Sequence, residues 1–556
     1  MASHNPTRQL ATHEVTNQPP TLEDYNLYAA DAALSEALQR EGAGWAEDRV
    51  AAFGGVLGRA DTIRQGELAN RHKPELRVFD RFGQRIDEVE FHPAYHHMMA
   101  LGVEHGIPSI AWTEAQPGGH VAHTALEFMA FQIEAGTCCP LTMTYAAVPA
   151  LRAEAAVAAE WVPRILQGRY DPACLPAAQK AGATIGMAMT EKQGGSDVRA
   201  NTTRAEPADG DGEGVYTLTG HKWFCSAPMS DAFLTLAYAK GGLTCFLVPR
   251  WRPDGSRNAF LIQRLKDKLG NHSNASSEIE YNDTWARRIG EEGEGVRTII
   301  EMVHHTRLDT TLAAAALMRQ SLVQAAHHAG HRTAFQRRLI DQPLMRNVLA
   351  DLAIESEAAT TLTMRVARSY DESEISPEAR AFARLAVAVA KYWINKRTPN
   401  HIFECMESLG GAGYVEESPL PRLYREGPLN SIWEGSGNVI CLDVLRTMQR
   451  EPAAVEALQH ELQLAAGADR RYDAELKVLG DKLRRDDDIE HRARRVVEHL
   501  ALMLQAGLLL RYAPHPIADA FITTRLMHDG GHAYGTLPSG TDTAAIVARA
   551  WAPDTA

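Results

Sequence analysis

The sequence predicts an α+β multidomain protein: a helical region, a β region, a second helical region and a further helical stretch. Three observations carry this. Apolar residues recur at helical spacing through most of residues 1–180. Short runs of β-branched and aromatic residues, separated by Gly, Pro, Asp and Asn clusters, fill 187–290. The helical period then returns at Gly295 and persists. We place the expected domains at 1–180, 181–290, 291–447 and 448–556.

In the first region, Asp31-Ala-Ala-Leu-Ser-Glu-Ala-Leu-Gln-Arg and the run from His123 to Gly136 are amphipathic helix patterns. Pro19-Pro20 and Gly42-Ala-Gly44 break them as loops. The β region shows Val215-Tyr-Thr-Leu-Thr before Gly220, then Ala232 to Tyr238, Leu243 to Val248, and Glu278-Ile-Glu-Tyr. These runs read as an antiparallel sheet or barrel. Ile299, Val303, Leu308, Leu312, Leu317 and Leu322 mark a long buried helix. Gly410-Gly411-Ala-Gly413 ends a later one, and charged helical segments follow from about 448 to 530. Gly411-Ala-Gly413-Tyr-Val-Glu416 lacks the third glycine of a dinucleotide fingerprint and has no strand before it, so a doubly wound sheet is rejected.

With 556 residues, 45% hydrophobic and 23% charged, the chain has the composition of a soluble globular protein. No apolar stretch is long enough to span a membrane, and no apolar signal follows the N-terminal Met-Ala-Ser-His, so the expected compartment is the cytoplasm. The seven cysteines lack regular spacing; the adjacent Cys138 and Cys139 read as buried thiols rather than a redox pair. A net charge of −13 means that the surface as a whole repels nucleic acid, and any DNA binding needs a local patch.

Two stretches carry chemistry. One is Gly186-Met-Ala-Met-Thr190-Glu191-Lys-Gln-Gly194-Gly195-Ser196-Asp197; the other is Ser431-Ile-Trp433-Glu434-Gly435-Ser436-Gly437-Asn438. Each surrounds a carboxylate with small residues and hydroxyls, as a site does where backbone closely approaches a large flat cofactor. Taken alone, the first stretch reads equally well as a polar turn. Lys222-Trp223-Phe224-Cys225-Ser226 adds an aromatic plane and another hydroxyl, although a lone Trp is more often core.

The first stretch resembles the Thr-Glu-x-x-x-Gly-Ser-Asp signature of the acyl-CoA dehydrogenase family. Glu407-Ser-Leu-Gly410-Gly411-Ala-Gly413-Tyr414, with Glu417, Arg422 and Glu426, is similar to its second signature. Trp223 with Ser226, and Arg332-Thr-Ala-Phe335, resemble further family segments. The resemblance is closest to the AidB-type branch linked to the adaptive alkylation response. It rests on Met189-Thr-Glu-Lys-Gln-Gly-Gly-Ser-Asp-Val, His221-Lys-Trp-Phe, Arg264-Leu-Lys-Asp-Lys-Leu-Gly-Asn-His-Ser-Asn-Ala-Ser, Pro421-Arg-Leu-Tyr-Arg-Glu and Asn430 to Asn438. Asn26-Leu-Tyr and Arg40-Glu-Gly-Ala-Gly-Trp extend it across nearly the whole chain.

That resemblance implies an acyl-CoA dehydrogenase-like fold, with an N-terminal helical domain, a central β-barrel, a four-helix bundle and an extra helical C-terminal domain. It implies FAD held by Met189, Thr190, Gly195, Ser196, Trp223, Phe224, Ser226, Trp433, Ser436 and Asn438, with Glu434 as catalytic base. Some relatives carry the base on the helix that holds Thr306 here, and a threonine cannot abstract the proton. Gln336 stands where the family has Gly after Phe335, and a family Gln is lost near Pro343, in a segment that in relatives reaches a neighbouring subunit's FAD. Cys225 replaces a common Thr, which leaves Ser226 as the hydroxyl donor.

No metal is expected: His327 and His331 are a possible i, i+4 ligand pair without a third partner. No Gly-x-Ser-x-Gly elbow marks a serine hydrolase. In the last region Lys482, Arg484, Arg485, Arg492, Arg494 and Arg495 form a basic cluster, interrupted by Asp486, Asp487, Asp488 and Glu490. By composition this is a salt-bridged helix pair. The AidB-type resemblance instead implies that this region binds double-stranded DNA, with Arg446 adding charge near the active-site mouth. The expected protein is an FAD-containing homotetramer, a dimer of dimers, that protects DNA, by flavin-dependent inactivation of alkylating agents, with at most weak acyl-CoA dehydrogenase activity. The competing reading is a catabolic dehydrogenase that oxidises a short or branched acyl-CoA at the α,β carbons. A flavin of merely structural use is the third.

Overall fold

The computed structural model describes residues 7–114, 116–208, 212–484 and 488–551. The N-terminal region carries helices α1 (Ala32–Arg40), α2 (Glu47–Leu57), α3 (Ala60–Arg71) and α4 (Pro93–Glu104). Asp31 caps α1 by accepting the Leu34 N–H at 3.1 Å. Between α3 and α4 stands an antiparallel hairpin, β1 (Glu75–Phe79) and β2 (Arg85–Glu90), an exception in a region read as mainly helical. Asp80 closes its turn by accepting the Phe82 and Gln84 N–H groups. Helices α5 (Ile110–Thr113), α6 (Gly119–Ile133), α7 (Ala135–Leu151) and α8 (Ala155–Ile165) follow.

Seven strands then form one sheet: β3 (Ile185–Ala188), β4 (Arg204–Pro207), β5 (Val215–Ser226), β6 (Ala232–Ala239), β7 (Gly242–Pro249), β8 (Phe260–Leu265) and β9 (Ser276–Ile289). Pairing runs β6–β4–β5–β9–β7 and returns from β7 to β6, which closes a barrel, with β3 parallel to β6 and β8 beside β9. Alternation along β6 explains its unbroken apolar run. Phe233 and Ala237 pack inside the barrel with Phe246 and Phe260, while Leu234 and Leu236 face helix α7 residues such as Tyr145 and Val148. Strand β5 does not stop at Gly220. It bulges there and continues to Ser226, because a Cβ at Gly220 would lie 2.7 Å from Thr203 Cα and glycine lets the segments pass.

The second helical part holds α9 (Gly295–His331), α10 (Pro343–Glu372), α11 (Pro377–Ser408), α12 (Gly411–Tyr414), α13 (Leu420–Glu426) and α14 (Gly437–Arg450). All six apolar positions expected along α9 are buried, and α9 is buried around most of its circumference. Gly410, at φ +60, follows the end of α11. Beyond them lie α15 (Pro452–Gln463), α16 (Arg470–Arg484), α17 (Ala493–Tyr512), α18 (His515–Phe521) and α19 (Thr543–Ala550). One hydrophobic core joins Leu34 and Phe53 near the N-terminus, the α9–α11 bundle, and Leu500 and Trp551 near the C-terminus. Among the described residues no helix is long and apolar enough to cross a membrane.

Candidate active site

Glu434 lies in the turn that leads into α14. It adopts φ +57, and Gly435 follows at +106. Two successive left-handed residues make a sharp reversal, a conformation that costs a non-glycine residue roughly 1–2 kcal/mol. The Thr306 hydroxyl of α9 donates to Glu434 Oε2 at 2.7 Å. Arg307 Nε donates to the Glu434 carbonyl at 3.2 Å, and buried Lys391 donates to the carbonyls of Asn430 and Gly435 at 3.1 and 2.9 Å. Trp433 Nε1 donates to Asn430 Oδ1 at 2.9 Å. The turn is thus held from its backbone side, and no cation hydrogen-bonds the carboxylate itself among the described residues.

The electrostatics follow from this arrangement. Burial pushes the Glu434 carboxyl above its ordinary value, and the Thr306 hydrogen bond and the charges of Lys391 and Arg307 pull it partly back. Lys391 is pushed down to about 7, by burial first and the nearby Arg307 second. Asp443 fixes Arg307 at 2.8 Å and Arg384 at 2.9 Å. Burial opposes its charge, yet those two guanidinium groups hold its carboxyl at about 2.

The first stretch is organised by a pair that the sequence did not single out. Glu191 and Lys222 meet at 2.8 Å with both side chains fully buried. Glu191 also accepts from Thr203 Oγ1 at 2.6 Å and from the Thr202 N–H at 2.7 Å, while Lys222 donates to the Leu236 carbonyl at 2.8 Å. Burial works against the Glu191 charge, but Lys222 and these donors hold the carboxyl at about 2. The pair ties the loop to β5. Trp223 N–H donates to the Thr190 carbonyl at 2.7 Å, and Asn201 donates to the Met189 carbonyl at 2.8 Å. A Cβ on Gly194 would stand 2.6 Å from the Asp197 carbonyl, so the tight loop there excludes side chains. The adjacency of Lys222 to Trp223 was a usable signal; the burial of Glu191 was not.

The two stretches converge. Met189 and Trp433 pack against one hydrophobic cluster that contains Cys139, Met143, Ile299 and Met302. Burial pushes the Cys139 thiol up to about 12, and the groups acting on it include Lys268, Asn274, Glu434 and Ser226. Ser226 of the barrel and Glu434 of the bundle therefore share one neighbourhood. Trp223 is half-buried and Phe224 is 46% exposed, with Lys266 Nζ 4.4 and 4.5 Å from their ring centres. Ser226 Oγ lies 3.3 Å from Ser276 Oγ. Gly195, Ser196 and Ser436 are exposed, and the Ser436 side chain makes no capping bond to α14.

Asn438 has a partner that the sequence did not predict: Arg494 of α17 donates to its side-chain oxygen at 2.8 Å. Of the other basic candidates, Arg446 is exposed, Lys482 contacts His499 Nδ1 at 3.0 Å, and Arg492 is half-buried. Arg485 and the side chain of Arg484 lie outside the described residues. His327 contacts the Pro20 carbonyl at 2.9 Å and His331 the His327 carbonyl at 2.8 Å.

Residues 17–172 match the family described as the adaptive response protein AidB N-terminal domain. Residues 186–284 and 293–449 match the middle and C-terminal domains of acyl-CoA dehydrogenases. AidB of Escherichia coli (strain K12) is 47% identical over 522 residues, 94% of this chain and 95% of that protein. The chain is an AidB-type member of the acyl-CoA dehydrogenase family. Acyl-CoA dehydrogenase family member 11 of Caenorhabditis elegans is 30% identical over 86% of the chain and 79% of that protein. The crystal structure of Caenorhabditis elegans ACDH-11 in complex with C11-CoA superposes with a TM-score of 0.82 at 25% identity, covering 99% of this chain and 95% of that one. A structure of Bd2924 in its apo-form gives 0.82 at 29% identity over 89% of this chain and 99% of that one.

Members of this family are FAD-dependent oxidoreductases acting on CH–CH bonds, and FAD is the cofactor here. The residues present fit it. A glycine loop that excludes side chains, half-buried Trp223 and Trp433, exposed Phe224 and the Ser226 hydroxyl accompany the half-buried carboxylate of Glu434.

Proposed function

We propose that this flavoprotein serves the DNA alkylation damage response. It is a cytoplasmic homotetramer that binds double-stranded DNA through residues 448–556, inactivates alkylating agents by flavin-dependent chemistry, and has weak acyl-CoA dehydrogenase activity at most. The supporting observation is the Arg494–Asn438 hydrogen bond, which seats the basic start of α17 beside the second flavin stretch. Arg495 of α17 and Arg446 of α14 are exposed, and the two helices pack together. A chain of net charge −13 needs such local concentration of cations to hold a polyanion. The likeness to AidB over nearly the full chain points the same way.

In the reaction class of the family, FAD supplies the hydride acceptor when bound. The protein's own part is proton removal. Glu434 takes the proton onto its carboxylate; its raised affinity for protons makes it a stronger base than an exposed glutamate. Thr306 fixes the direction of that carboxylate, and Lys391 and Arg307 hold the strained turn beneath it. A purely structural flavin would not need this arrangement.

The same intact base favours the second reading, a catabolic oxidation of a short or branched acyl-CoA. Two measurements separate them: flavin bleaching by a panel of acyl-CoAs, and duplex DNA affinity between about 50 and 200 mM salt, a range over which binding through phosphate contacts weakens steeply. Slow or absent bleaching, with affinity that falls steeply with salt and collapses in R494E/R495E, is the expected result. Rapid complete reduction by one thioester, with DNA affinity indifferent to charge reversal, overturns the proposal.

A further inference from the structure

One turn along α9 from Thr306, three buried side chains from two helices converge. His123 and Glu127 stand one turn apart on α6, and Asp309 faces them from α9. His123 and Glu127 are 0% exposed and Asp309 is 1% exposed. One donor atom from each lies within 4.8 Å of the others. His123 Nδ1 is 2.7 Å from the Ile107 carbonyl, so that nitrogen carries a proton and Nε2 is turned toward the carboxylates. Nε2 lies 3.1 Å from Asp309 Oδ1 and 3.2 Å from Glu127 Oε2. Glu127 Oε1 accepts from Thr142 at 2.8 Å. Glu127 Oε2 and Asp309 Oδ2, both buried, have no hydrogen-bond partner. The Tyr145 ring covers the imidazole at 3.6 Å between centroids.

A proton on Nε2 serves one carboxylate at a time; Glu127 keeps the Thr142 hydroxyl as a donor, whereas Asp309 has that imidazole alone among the hydrogen bonds of the described residues. A divalent cation at the common centre serves all three groups and neutralises the two carboxylates. The Nε2–oxygen separations fit the roughly 2.9–3.4 Å between adjacent ligands of a cation with bonds of about 2.0–2.1 Å. We propose that His123, Glu127 and Asp309 bind a first-row divalent cation, of which Zn2+ and Mn2+ suit a donor set of one imidazole and two carboxylates. The Ile107 carbonyl and the Thr142 hydroxyl are the outer partners that orient such ligands. The ion clamps α6 to α9 one turn from Thr306, and so braces the helix that positions Glu434. It enters while the helices close, since every ligand is shielded from solvent.

The test uses full-length flavoprotein expressed in medium supplemented with Zn2+ or with Mn2+, passed over chelating resin, and measured for metal by mass spectrometry and for flavin by absorbance. About one ion per chain is expected, falling about ten-fold or more in E127Q with flavin content unchanged. H123Q provides a second near-isosteric variant if E127Q folds poorly. Protein grown with Co2+ should show visible d–d absorption that both variants lose. Wild-type protein with no bound ion under any of these conditions, or metal content equal in wild type and variants, overturns the proposal and assigns the cluster to two shared protons.

Discussion

The Thr306 hydroxyl, on α9, donates a 2.7 Å hydrogen bond to Glu434 Oε2, 128 positions further along the chain. The threonine that cannot abstract a proton is therefore the group that holds the carboxylate in place. Hydrogen bonding to the ionised form stabilises it, and burial opposes it. This relationship sets the pH behaviour of the base.

Removing the hydroxyl in T306V should raise the Glu434 pKa further, since one stabilising contact to the charged form is lost. The acid limb of the pH–rate profile, measured with any acyl-CoA that bleaches the flavin, should move to higher pH. T306S should restore it. An unmoved limb would assign Thr306 no role in positioning the base.

E434Q keeps the shape of the turn and removes the proton acceptor. Loss of a general base of this kind costs about 10²–10⁴ in rate. Stopped-flow bleaching should fall by that order while the flavin absorbance and DNA affinity persist. Retained bleaching would place the base elsewhere.

The Glu191–Lys222 pair anchors the first flavin stretch to β5. K222M strands a buried carboxylate, which costs about 3–5 kcal/mol, and should weaken FAD retention together with thermal stability. The pH dependence has a definite sign. With its carboxyl held at about 2 in the folded state, Glu191 contributes stability that is complete above the ordinary value of 4.5 and is lost as pH falls toward about 2. Acid denaturation of K222M, followed by circular dichroism, should lack that contribution.

The two-residue turn between β10 (Thr333–Ala334) and β11 (Arg337–Arg338) places Phe335 at φ +50 and Gln336 at φ +66, with Phe335 93% exposed. Both central residues are left-handed, as a tight hairpin requires. Glutamine loses roughly 1–2 kcal/mol in that conformation, which glycine adopts without strain. Q336G should therefore raise stability by about 0.5–1 kcal/mol in denaturant titrations, after the entropy of glycine in the unfolded chain is set against the relief.

Much of the architecture was legible in local pattern. The helical–β–helical order and the six buried apolar positions of α9 follow from side-chain periodicity. The hairpin β1–β2 and the four-residue β4, Arg-Ala-Glu-Pro, were not legible: β1 alternates over only five residues, β2 carries charge on both faces, and β4 has too few apolar residues to show a period. Of the site, the glycine loop and the Trp433-Glu434-Gly435 turn could be named from motif alone. The partners of Asn438 and Lys482 could not: Arg494 and His499 reach them from α17, 56 and 17 positions away.

The amino-acid order by itself determined the family, the succession of elements and the identity of the carboxylate in the second stretch. Only the tertiary structure decided that Thr306 steers this carboxylate, that Lys222 neutralises Glu191, and that His123, Glu127 and Asp309 meet. The reason is physical: propensity and periodicity act between neighbours in the chain, whereas the charge state and direction of a buried group depend on whatever the folded chain brings within a few ångströms.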